Sequence, residues 1–160
     1  MIEWLIIALA LAGLFISLYF TFAYYGRIKH SRWIPEIFCA REGSSCVTVV
    51  QTPYARVFGV PNSLLGIGYY AFVFGWILDD VTGWVSHEYL SAVDFDLAGV
   101  HLHFSSLLGF CLAVASAGTV ILGFYLIYAL RRILYIDCPL CYTAHAINLA
   151  LFVLLLLSNW

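Results

Sequence analysis

Residues 136 to 148 read IDCPLCYTAHAIN, and residues 149 to 157 continue as LALFVLLLL. A Cys-x-x-Cys pair is typical of thiol redox chemistry, yet this pair opens an apolar stretch long enough to cross a bilayer. The composition extends the second observation to the whole chain, because 64% of its 160 residues are hydrophobic and only 10% are charged. Since so few polar residues cannot cover a soluble globule, the sequence predicts an integral membrane protein.

Four apolar stretches have the length of a membrane-crossing helix, which needs roughly 20 residues for about 30 Å of hydrocarbon. Backbone in lipid must satisfy its own hydrogen bonds, so these spans are predicted to be helices rather than strands. The first span lacks a basic leader and a cleavage site, and we expect it to remain in the mature chain. The sequence predicts an all-α, four-helix membrane bundle that forms one domain, residues 1–160. The spans are expected at about 4–25, 63–78, 105–130 and 138–157. A partly ordered, cysteine-bearing redox loop is expected at 26–62.

Four spans place the first and third connections on the same face of the membrane. The first connection carries Cys39 and Cys46, and the other pair, Cys138 and Cys141, directly follows the third. Span counting alone therefore puts four thiols on one side. The fifth cysteine, Cys111, lies within the third span and is predicted to be a small buried apolar residue.

The Cys-x-x-Cys pair is predicted to lie in the first turn of the fourth span, which Pro139 helps to start. Unpaired amides and the helix dipole there favour the thiolate. Asp137 either opposes this as a neighbouring negative charge or acts as the helix cap. Two structural alternatives remain open, namely a zinc site built from two cysteine pairs and disulfides with no redox role.

The connection at 79–104 contains several Asp and His residues, which suggests a metal site. Their spacing matches no familiar ligand pattern, so we interpret this segment as a solvated loop with Trp84 and Tyr89 at the interface and expect no metal. Net charge is −2, without a concentrated basic face, so nucleic acid is not an expected partner.

Two segments together resemble the vitamin K epoxide reductase family. They are CAREGSSCVTVVQTPYARVFGVPNSLLGIGYY at 39–70 and CPLCYTAHAIN at 138–148. The chain looks like a prokaryotic-type homologue without the fused thioredoxin-like domain of some relatives. The resemblance implies a membrane oxidoreductase in which a quinone lies inside the bundle near the Cys-x-x-Cys pair.

The resemblance also implies a role for each cysteine. Cys141, deeper in the span, would contact the quinone, and Cys138 would be its resolving partner. Cys46 would exchange with Cys138, and Cys39 with the dithiol of a thioredoxin-like partner protein. Electrons would then pass from the partner through both pairs to the quinone by successive thiol–disulfide exchanges, supporting disulfide-bond formation.

Two further residues are implied to bind the quinone. Asn62 matches the family residue that hydrogen-bonds one carbonyl, although an amide there could equally cap the second span. His145 stands where animal members have a tyrosine for the other carbonyl. Histidine can also donate a hydrogen bond and could supply a proton as the quinone is reduced, and a different quinone or a merely packed polar residue stay open as alternatives. The quinone could be ubiquinone, menaquinone or vitamin K. Two alternative functions also stay open, namely a vitamin K quinone or epoxide reductase in the animal sense and a non-enzymatic membrane scaffold with structural cysteines. We expect a monomer.

The basic residues predict how the protein is oriented in the membrane. All seven fall on the cysteine-bearing side, namely Arg27, Lys29, Arg32, Arg41, Arg56, Arg131 and Arg132. The positive-inside rule places that side in the cytoplasm, here of a prokaryotic plasma membrane. Most relatives form disulfides outside the cytoplasm, so this would be an inverted member.

Overall fold

The computed structural model describes residues 2–27, 45–57, 59–83, 93–97, 100–104 and 107–158. Its long helices are α1 (Ile2–Tyr24), α3 (Asn62–Thr82), α4 (Leu107–Tyr128) and α5 (Pro139–Leu157). Helix α4 runs on into a π-helical segment at Ala129–Leu134. All four are long and apolar enough to cross a membrane. The prediction of an all-α, four-span membrane bundle is confirmed.

Helix α1 lies at the centre of the packing, against α3 and α5, and α4 packs mainly on α5. At the end of the bundle away from the Cys-x-x-Cys pair, the core is fully buried around Ile6, Val73, Ile77 and Leu151, each 0% exposed. Large apolar side chains such as Ile121, 70% exposed, cover the outer faces. Such a surface is suited to lipid, since lipid tails are as apolar as the core.

Close approach of the helices depends on small residues. A Cβ added at Gly13 would overlap the ring of Tyr70, and one added at Gly66 would lie 2.6 Å from the Ser17 Oγ. The Tyr70 Oη donates a hydrogen bond of 2.5 Å to the Asn148 Oδ1 and so joins α3 to α5. These glycines allow polar side chains of neighbouring helices to enter the bundle.

A compact segment precedes α3 at the cysteine-bearing end. It consists of α2 (Ser45–Gln51), a 3₁₀ turn (Pro53–Ala55) and the short antiparallel strands β1 (Arg56–Val57) and β2 (Val60–Pro61). Val49 and Val50 of α2 are buried in a cluster with Phe20, Leu130 and both cysteines of the pair. The segment therefore packs over this end of the bundle.

The connection between α3 and α4 was expected to be a solvated loop, and this expectation was wrong for its second half. Strands β3 (Val93–Leu97) and β4 (Val100–Phe104) form an antiparallel hairpin. Its register sets Asp94 opposite His103 and Asp96 opposite His101. In the sequence, apolar and polar residues alternate in both strands, and an Ala-Gly pair separates the two. Such alternation indicates a strand, but the acidic composition of the segment obscured it.

Candidate functional site

The Cys-x-x-Cys pair forms a disulfide at the start of α5. Cys138 and Cys141 are bonded, with their Cα atoms 5.3 Å apart. Cys138 has extended backbone and is the N-cap of α5, and its Sγ accepts a hydrogen bond of 3.3 Å from the Cys141 amide. Pro139 follows in the first turn, as predicted. Asp137 was a candidate for the cap, but the cysteine itself occupies that position.

The corner between α4 and α5 is fixed by side-chain contacts. The π-helical end of α4 closes at Tyr135 in the left-handed conformation, with φ of 52°. Beyond it, the Tyr142 Oη donates to the Asp137 carboxylate at 3.1 Å. The Arg131 Nε approaches the same Oη at 3.4 Å, with its guanidinium 5.3 Å above the ring. This network ties the last turn of α4 to the first turn of α5, where Cys138 lies.

A cavity of about 290 Å³ lies inside the bundle beside this disulfide. Helices α1, α3, α4 and α5 all contribute to its wall, and Val49, Val50, Thr52 and Tyr54 close it from the compact segment. Cys141 lines the cavity and is 8% exposed. A mostly apolar cavity with a few polar groups is the usual form of a site for a small lipophilic ligand.

Polar wall groups lie at several points around this cavity. They come from all four spans and from the compact segment, namely Ser17, Thr52, Tyr54, Asn62, Ser63, Tyr69, Tyr70, Thr119, His145 and Asn148. Polar side chains inside a membrane span are costly unless they are paired or serve a ligand. Several of these are paired, which leaves the others as candidates for ligand contact.

Asn62 is the first residue of α3 and lines the cavity. The N-cap position belongs to Pro61, whose side chain makes no capping hydrogen bond. The cap alternative for Asn62 therefore has no support in the observed geometry. Its amide is available to a ligand, and its role in binding stays a prediction.

His145 lies one helical turn beyond Cys141 on α5 and also lines the cavity. Residues four apart share a helix face, which explains why the disulfide and the imidazole meet the same space. Its Nδ1 is buried and has no hydrogen-bond partner within the described part of the chain. Across from it is Gly123 of α4, where an added Cβ would lie 2.9 Å from Nδ1.

Sequence reasoning missed the hydrogen-bonded tyrosines of the cavity wall. The Tyr69 Oη lies 2.9 Å from the Ser116 Oγ, which links α3 to α4, and Tyr70 is bonded to Asn148 as described. Ser116 is fully buried. The signal was present in the sequence, because tyrosine, serine and asparagine in the middle of a span indicate an inward-facing position.

The structure brings together four of the six predicted site residues. Cys138 and Cys141 form the disulfide, and Cys141, Asn62 and His145 share one cavity. Cys46 is the second residue of α2, and its exchange partner stays a prediction. The remaining one, Cys39, lies outside the described residues.

The fifth cysteine corrects a prediction. Cys111 is a free thiol and is exposed on α4, rather than buried as expected. On a membrane-spanning helix, an exposed position faces lipid, which accepts a small apolar thiol as readily as a core does.

Four apolar spans surround a cavity, and one cysteine of the Cys-x-x-Cys disulfide lies in its wall. The chain belongs to the Vitamin K epoxide reductase family, whose family profile matches residues 4–156. The resemblance seen in the sequence is thereby confirmed, and membership makes this multi-pass membrane protein an oxidoreductase of quinone-linked redox chemistry. No curated protein matches the chain individually.

Proposed function

We propose that this protein oxidises the dithiol of a thioredoxin-like partner and passes the electrons to a quinone. The observation that carries the proposal is the position of Cys141, whose disulfide with Cys138 borders the cavity inside the bundle. The pair would exchange with the redox-loop cysteines Cys39 and Cys46. The net effect would be a new disulfide in the partner.

Exchange between the two pairs is supported by the packing of α2. Cys46 precedes Val49 by three residues, which places both near one face of this short helix. Val49 is buried in the same cluster as Cys138. The position of Cys46 is thus about one helical turn from Val49, which shares a buried cluster with Cys138, and this supports the proposed exchange.

Electrons would reach the Cys138–Cys141 pair by two successive thiol–disulfide exchanges. A thiolate of the reduced loop pair attacks the Cys138 sulfur, and the Cys138–Cys141 bond breaks to leave a thiolate on Cys141. The second loop thiol then attacks the mixed disulfide and releases Cys138. The loop pair is now oxidised, and the Cys138–Cys141 pair carries two electrons and two protons, which reduce one quinone to hydroquinone while this disulfide re-forms.

Helix α5 favours these steps through its N-terminus. The first-turn amides and the positive end of the dipole stabilise a thiolate on this pair, as the hydrogen bond from the Cys141 amide to the Cys138 Sγ illustrates. Asn62 and His145 would meet the carbonyl oxygens of the quinone. The apolar remainder of the wall would accept its ring.

The test is quinone reduction in proteoliposomes with a reduced thioredoxin-like protein as the electron donor. Ser replacement of Cys141 is expected to abolish hydroquinone formation, whereas Cys111→Ser, as the matched control, is expected to keep it. Turnover retained in Cys141→Ser would contradict the proposal and favour a scaffold with structural cysteines. Reduction of a quinone epoxide, supplied as the acceptor, would indicate the animal-type epoxide reductase activity. Mass spectrometry of the co-purified quinone identifies the natural ligand.

The cysteine-bearing end is proposed to face the cytoplasm. Within the described residues, Arg27, Arg56 and the pair Arg131 and Arg132 lie next to the span ends on this side. The far end of α3 carries Asp79 and Asp80 instead. This distribution supports the positive-inside orientation.

A further inference from the structure

The imidazole of His145 packs against α4 at Gly123. Its Nδ1 is the buried nitrogen that lacks a partner among the described residues. The missing Cβ of Gly123 would lie 2.9 Å from Nδ1, 3.3 Å from Cγ and 3.5 Å from Cβ of the histidine. The ring therefore occupies the space that a side chain at 123 would fill, with Nδ1 facing the glycine.

This orientation decides which nitrogen carries the proton. A neutral imidazole has one N–H donor and one acceptor nitrogen, and the imidazolium has two donors. On the side of Gly123, Nδ1 has no hydrogen-bond acceptor among the described residues. A buried N–H without an acceptor gives up its hydrogen bond to water with no replacement, so a proton on Nδ1 is disfavoured.

We propose that Gly123 holds His145 as the neutral Nε2–H tautomer, which donates one fixed hydrogen bond to a quinone carbonyl oxygen and does not relay protons. The proposal rests on the quinone function proposed above. A relay histidine accepts a proton on one nitrogen while it releases one from the other. With Nδ1 closed off by α4, only Nε2 can take part in proton exchange.

The protons of the reaction balance without a proton transfer through His145. The reduced Cys138–Cys141 pair releases two protons when its disulfide re-forms, and the hydroquinone gains two. His145 can therefore act as an orienting donor, while Gly123 is a positioning residue that acts through it.

The tautomer is tested directly by ¹⁵N NMR of the histidine-labelled full chain in nanodiscs. The chain has five histidines, and the spectrum of His145→Gln assigns the signal of interest by difference. We expect a protonated Nε2 and an unprotonated Nδ1. A signal from Nδ1–H or from the imidazolium would overturn the proposal.

The kinetic test compares two replacements of similar size. Glutamine keeps an N–H donor but cannot ionise, whereas leucine has no donor. We expect His145→Leu to lower kcat/KM for quinone about 10-fold or more, and His145→Gln to recover at least a third of that loss on a logarithmic scale. Equal loss in both variants, with a titrating histidine signal, would show that the proton itself is required and would overturn the donor role.

The positioning role of Gly123 is tested by Gly123→Ala, with Gly68→Ala as the control, since a Cβ at Gly68 meets no atom within 4 Å among the described residues. Gly123→Ala is expected to shift the His145 signal and raise the KM for quinone about 10-fold, while exchange between the cysteine pairs proceeds at its normal rate. An unmoved signal would overturn the role of Gly123. Absence of quinone reduction in the unaltered protein, with the Nε2–H tautomer observed, would instead overturn the proposed function.

Discussion

Replacing Gly13 by alanine tests how the bundle positions its cavity wall. An alanine Cβ would overlap the ring of Tyr70, which is 3% exposed and belongs to the same core cluster as Ala10 and Val73. The Tyr70 hydroxyl is bonded to Asn148, and both residues line the cavity. The ring cannot move aside without disturbing this link between α3 and α5.

The expected loss combines three effects. Overpacking a core costs about 1–3 kcal/mol, an interhelical hydrogen bond in a membrane contributes about 0.6 and at most about 1.7 kcal/mol, and alanine in place of glycine within a helix favours folding by about 0.5–1 kcal/mol. The free energy of unfolding should therefore fall by roughly 1 to 4 kcal/mol in Gly13→Ala. Gly68→Ala carries only the last effect and should be neutral or slightly stabilising.

The assay is reversible unfolding in mixed micelles, followed by helical circular dichroism as a denaturing detergent is added. A double mutant that combines Gly13→Ala with Tyr70→Leu tests whether the loss arises from this contact. Gly13→Ala should lower the free energy of unfolding much less when Tyr70 is already replaced by leucine. Equal stabilities of the Gly13→Ala and Gly68→Ala proteins would refute the overlap with Tyr70. So would an unchanged cost of Gly13→Ala in the leucine background.

Two further predictions concern the ligand and the membrane side. Asn62→Ala is expected to weaken quinone use by about 1 to 3 kcal/mol, the cost of an unpaired buried polar group, while thiol exchange persists; an unchanged KM for quinone would assign the amide another role. After reduction, Cys39 is expected to resist a membrane-impermeant thiol reagent on intact cells and to react once the cells are opened, as judged by a mass shift of the peptide that contains it. Modification of Cys39 from outside would place the cysteine-bearing end outside the cytoplasm.

The fold was predictable because span length and apolar composition are direct consequences of bilayer thickness. The stretch that ends LALFVLLLL could only be a helix in lipid, and the observed α5, Pro139–Leu157, follows it. The same side for both cysteine pairs was predicted from a count of spans, and it stays a prediction because Cys39 lies outside the described residues. The hairpin at Val93–Leu97 and Val100–Phe104 was missed although its alternation is visible, because charge was given more weight than periodicity.

Burial within the spans was much harder to predict. In a soluble protein, polarity separates the inner face of a helix from the outer face, whereas lipid and protein core are both apolar. Cys111 was therefore placed inside when it is exposed. The contacts of His145 with Gly123 and of Tyr70 with Gly13 depend on the rotation and register of two helices, which no single segment encodes.

The proposed function accounts for the position of the Cys-x-x-Cys pair at the start of a span. Cys138, as the N-cap, belongs to one buried cluster with Val49 and Val50 of α2, while Cys141 lies one turn further along and borders the cavity. A spacing of three residues allows one disulfide to reach both environments, because positions i and i+3 lie on the same face of a helix. In the proposed function, electrons that arrive through thiols at the membrane surface would pass through this one disulfide to a ligand that dissolves in lipid, and the corner between α4 and α5 would hold Cys138 in place for that transfer.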